Sequence, residues 1–135
     1  MNGIRRGIAC VSACAMALVS CAALAAAGSW SATADGPRVA GAGRFYASAP
    51  LQAPAMAAGA AIRSVRWRVA LPPGRTLAAE LCVDRRCVPV KGSRGASDAL
   101  AGEPADTPLE FRFRLPRGES TAVQVGAIQL LVDYR

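Results

Sequence analysis

The 135-residue sequence contains no histidine. That absence removes the Ser-His-Asp triad, the Cys-His dyad and the ordinary zinc site, each of which uses an imidazole as base or ligand. Aromatic residues make up only 5% of the chain, so a sugar-stacking platform has few side chains to draw on. Of five cysteines, Cys10, Cys14 and Cys21 fall in an N-terminal stretch of different character, leaving Cys82 and Cys87 for the rest. Gly41-Ala42-Gly43 and Gly92-Ser93-Arg94-Gly95 precede no helical pattern and read as loop glycines, not phosphate cradles. Carboxylate pairs such as Glu80 with Glu110, or Glu103 with Asp106, stand in no apolar context and read as solvated charges. No catalytic residue, cofactor or metal ligand is expected. The chain reads as a non-enzyme.

What is present begins with a leader. Arg5 and Arg6 form a short positive segment, and no charge follows from Gly7 to Ala27. The stretch ends in Ala25-Ala26-Ala27, small residues that fit the subsites of a signal peptidase. Residues 1–27 are expected to be a signal peptide cut before Gly28, with a cut after Ala25 as competitor. Two alternatives stand beside cleavage. One is retention as an anchor, since the run approaches the roughly 20 residues a span requires. The other is acylation of Cys21, because Leu18-Val19-Ser20-Cys21 resembles a lipobox. Only these two would tie the protein to a membrane. All three outcomes place the remaining domain beyond the inner membrane, in the periplasm.

Without the leader, 14 Lys and Arg remain against nine Asp and Glu, a net charge of +5. The charge is scattered, which suits solubility and acidic protein partners better than nucleic acid. Residues 28–135 form one domain by length.

In an exported chain an even cysteine count implies a disulfide. In Cys82-Val83-Asp84-Arg85-Arg86-Cys87, a two-residue turn at Asp84-Arg85 makes Val83 face Arg86 and Cys82 face Cys87. The cysteines then form a non-hydrogen-bonded pair with Cα atoms roughly 4.5 Å apart, close enough to bridge. A redox or metal role is disfavoured, because the spacing is not C-x-x-C and no further ligand is at hand.

Elsewhere the chain alternates with period two. Val65, Trp67, Val69 and Leu71 oppose Arg66 and Arg68, until Pro72-Pro73-Gly74 stops the strand. Leu77, Ala79, Leu81 and Val83 lead into the cysteine turn, and Val88 and Val90 leave it, with Pro89 pointing to an edge position or an early strand end. Lys91 to Pro108 reads as a long surface loop. Leu109, Phe111, Phe113 and Leu115 oppose Glu110, Arg112 and Arg114 in the clearest strand; Val123 and Val125 follow, then Ile128, Leu130, Val132 and Tyr134. Trp30–Thr33, Arg38–Ala40 and Arg44–Ala47 are short strand candidates, and Pro50 to Ala61 reads as a loop with one turn. Seven to eight short strands of this kind describe an all-β antiparallel sandwich.

Binding is the function class that remains. Arg66 and Arg68, with Arg112 and Arg114, would make one basic partner-binding face if their strands are neighbours; a merely solvated face is the alternative. Trp30, Phe45 and Tyr46 are the surface candidates for stacking on a glycan.

An ordered set of residues adds a further reading. It comprises Trp67-Arg68, Leu81-Cys82-x4-Cys87-Val88, Gly92 with Gly95, Pro108-Leu109-x-Phe111, Leu115-Pro116-x-Gly118 and Val132-Asp133-Tyr134-Arg135. Trp30 and Ser48 to Leu51 join it by placement. Together they resemble the FlhE family of flagellar proteins; Ala53 to Ile62 and Lys91 to Thr107 resemble it least. The resemblance implies a periplasmic flagellar accessory protein with a β-sandwich fold, no catalytic residues and no cofactor. It implies a role in flagellar type III export, either limiting proton leakage at the export gate or chaperoning rod components. The expected partners are export-apparatus or rod proteins. A periplasmic glycan- or peptidoglycan-binding module is the alternative function.

Overall fold

The computed structural model describes residues 27–135. Except for Ala27, the expected leader, with Cys10, Cys14 and the acylation candidate Cys21, lies outside the described residues. Ten strands follow in chain order: β1 (Gly28–Asp35), β2 (Arg38–Val39), β3 (Tyr46–Ala47), β4 (Ile62–Val69), β5 (Ala78–Val83), β6 (Arg86–Val90), β7 (Arg94–Ser97), β8 (Leu109–Arg114), β9 (Val123–Gln124) and β10 (Ala127–Tyr134). Two four-stranded antiparallel sheets, β1-β10-β4-β7 and β3-β8-β5-β6, are joined by the small β2-β9 ladder.

Alternation decides which side of each sheet is dry, because successive side chains of a strand point to opposite faces. Ile128, Leu130, Val132 and Tyr134 of β10 meet Val65, Trp67 and Val69 of β4. Leu81 and Val83 of β5 lie beside Phe111 and Leu109 of β8. Phe111 and Phe113 stack with ring centroids 6.0 Å apart. The two apolar faces merge in one core.

One polar side chain is buried in it among the described residues. The Ser48 hydroxyl accepts the Phe111 N–H at 3.1 Å and donates to the Ala49 carbonyl at 2.9 Å. Satisfied in both directions, it continues the β3–β8 pairing past the end of the short strand.

Four expectations are corrected. The described residues form ten strands, not seven or eight, because the short candidates at Arg38–Ala40 and Arg44–Ala47 both pair and β7 forms inside the expected loop. Leu71 lies beyond β4, which ends at Val69. Lys91 to Pro108 is not simply a surface loop, since it contains β7 and buries Leu100 and Ala105 completely. Trp30 is not a surface residue either. It is only 4% exposed, because it shares the inward face of its strand with its cross-strand partner Val132. Pro89 does lie in an edge strand, β6, where its missing N–H costs the ladder nothing.

Candidate functional site

The hairpin β5–β6 forms as its spacing requires: Val83 faces Arg86, and Cys82 faces and is bonded to Cys87, with Cα atoms 4.1 Å apart. Asp84 opens the turn with φ at 50°, the positive value that primed hairpin turns demand. The two sulfurs lie within 4.8 Å of a Glu80 carboxylate oxygen. Bonded to each other, they offer no thiolate to a metal. The Arg112 guanidinium lies over the bridge, 3.8 Å from the Cys87 sulfur.

The four arginines do not form one face. Arg66 and Arg68 stand on β4, Arg112 and Arg114 on β8, and these strands belong to different sheets. The expected single basic surface is therefore two surfaces, and their electrostatics differ. On the β8 sheet, Arg112 is 2.7 Å from Glu110 and 4.0 Å from Glu80, so its charge is offset twice over. Arg114 lies 4.7 Å from the centroid of the Phe45 ring in a cation–π contact.

On the β4 sheet, Arg66 reaches Asp133 at 3.2 Å but remains 58% exposed, and a pair so wet holds its partner weakly. Arg68 has no ion pair among the described residues. Its cross-strand neighbour is Arg94 of β7, which has none either. Sequence reasoning missed Arg94 because it placed the residue in a loop; the signal was present only in the register of β4 against β7. Ser31, Thr33, Arg66, Arg68, Arg94 and Gln129 together rim a shallow hollow of about 540 Å³ on this sheet. At the arginine end of the hollow, β7 takes only β4 as a strand partner, so its far edge is open among the described residues. An open edge accepts an extended chain through main-chain hydrogen bonds.

The stacking candidates fare differently. Trp30 is buried and donates its indole N–H to the Ala105 carbonyl at 3.0 Å. Tyr46 is half-buried, with its hydroxyl accepting the Gly41 N–H at 2.7 Å. Phe45 is 39% exposed, but Arg114 occupies its face. No planar row of open rings results from these three. Of the carboxylate pairs, Glu80 and Glu110 converge on Arg112, while Glu103 binds Arg86 at 2.7 Å.

A family model described as Flagellar protein FlhE matches residues 36–135. The chain belongs to the FlhE family. Among its relatives, Flagellar protein FlhE of Yersinia enterocolitica is 37% identical over 118 residues, covering 82% of this chain and 83% of that protein. Flagellar protein FlhE of Escherichia coli (strain K12) is 32% identical over 112 residues, covering 80% and 85%. A crystal structure of FLHE superposes with a TM-score of 0.72 at 32% identity, over 81% of this chain and 97% of that one. FlhE is a flagellar family and not a known enzyme family, and the all-β sandwich is its fold. The disulfide hairpin is consistent with an exported member.

Proposed function

We propose that this FlhE-family chain is a periplasmic accessory protein that controls flagellar type III export and assembly through protein–protein binding. Family membership supplies the flagellar role. The observation that carries the binding mode is the outer face of the β4 sheet, where Arg66, Arg68 and Arg94 stand exposed on β4 and β7, and β7 is the edge strand at that side of the sheet. An extended acidic or polar segment of a rod subunit suits it. Its backbone would add to the edge of β7 while its carboxylates approach Arg94 and Arg68, giving steering and register together. Such binding favours chaperoning of rod components over limiting proton leakage at the export gate. Arg112, already neutralised by Glu80 and Glu110, is a poorer candidate for the same work.

The test is cross-linking in flagellated cells with a reagent confined to the periplasm, followed by mass spectrometry of the adducts. Adducts with rod or export-apparatus subunits are expected, together with a mature N-terminus near Gly28. Adducts solely with cell-wall enzymes would overturn the reading and favour a glycan-associated role.

A further inference from the structure

A second concavity lies where the β4–β5 and β6–β7 connections meet; it shares Arg68 and Arg94 with the docking face, but the docking reading makes no use of its apolar wall. Its volume is about 730 Å³, within the range of small-molecule sites. The inner wall is hydrocarbon: Val69, Val90 and Phe113 are buried there, and Leu71, Leu77 and Ala79 are half-buried. None of these side chains has a hydrogen-bonding atom. A polar group seated against them would give up water without side-chain compensation, so the body of any ligand must be apolar. The wall is also mostly aliphatic, which suits a flexible chain better than a flat ring system.

The rim has the opposite chemistry. Arg68 and Arg94 line it, exposed and directly cross-strand, with Gln129 nearby. Like charges placed opposite each other weaken the strand pairing, and no carboxylate relieves these two among the described residues. An anionic head group between them would. Arg75 also lines the cleft but is committed elsewhere, to Glu119 at 3.2 Å and to the Thr121 carbonyl at 2.7 Å.

We propose that this cleft binds a linear acyl carboxylate, with the chain against Val69, Leu71, Leu77 and Phe113 and the carboxylate on Arg68 and Arg94. The site shares Arg68 and Arg94 with the docking face but not its apolar wall, so ligand binding by the purified protein and partner recovery from cells test the two separately. It is tested by calorimetric titration of the purified protein with decanoate, decanol and decyltrimethylammonium below their aggregation limits, with methyl resonances of Leu77 and Val90 followed by NMR. Decanoate is expected to bind about tenfold or more tighter than decanol at low salt, the cation not at all, and the Leu77 and Val90 methyls to shift. In an Arg68→Gln, Arg94→Gln variant the preference should fall to within about twofold, with no loss of thermal stability. Equal affinity for decanoate and decanol in the unaltered protein would overturn the proposal. So would absence of decanoate binding, or binding that leaves those methyls unmoved.

Discussion

The indole N–H of Trp30 donates to the carbonyl of Ala105 at 3.0 Å across 75 residues of sequence. It ties the first strand to the connection between β7 and β8, and both residues are buried. Trp30→Phe keeps an aromatic side chain but loses the pyrrole half of the indole, so the carbonyl loses its donor and a small gap opens in the core. A loss of about 1–3 kcal/mol is expected, seen as a thermal midpoint lower by roughly 4–8 °C for each kcal/mol in a domain of this size.

Gly95 is held to its identity by a neighbour. A Cβ on this residue would sit 2.6 Å from Cζ2 of Trp67, and that ring is buried. Gly95→Ala therefore forces β7 away from β4 or moves the indole. The expected cost is about 1–3 kcal/mol, with a change in tryptophan emission that Ala96→Ser, at the exposed neighbouring position, does not cause.

Ser48→Ala removes the acceptor of the Phe111 N–H and leaves a buried donor unmatched. Chemical denaturation should show a loss of about 1–3 kcal/mol with an unchanged m-value.

Much of the fold was legible from the residues. In β8, large apolar side chains alternate with charges, and in β10 the inward positions are all bulky, so the buried face of each could be read directly. The cysteine hairpin was legible for a different reason: a two-residue turn fixes its own register. β7 was not. Arg94-Gly95-Ala96-Ser97 has neither β-branched nor aromatic residues, and its extended form comes from pairing with β4. β1 was half-legible, because Ala32 and Ala34 share the inward face with Trp30 but are too small to announce it. The candidate site suffered from the same limit. Alternation showed that Arg66, Arg68, Arg112 and Arg114 point outward, but not that β4 and β8 lie in different sheets. That follows from strand order, a long-range property.

The disulfide closes a short loop, so its removal should matter only modestly. Cys82→Ser with Cys87→Ser is expected to lower stability by about 2 kcal/mol at most. The sandwich should survive, because β5 remains paired to β8 as well as to β6. Circular dichroism of the double variant checks the fold, and urea unfolding measures the loss.

Charge reversal on the two outer faces gives the most direct comparison. Tagged protein with Arg66→Glu and Arg68→Glu, and separately with Arg112→Glu and Arg114→Glu, would be used to recover partners from flagellated cells, after thermal melting shows both variants folded. The β4-sheet reversal should abolish recovery of rod or export-apparatus proteins, while the β8-sheet reversal leaves most of it intact. Undiminished recovery with the first variant, or loss confined to the second, would contradict docking through the Arg66 and Arg68 face.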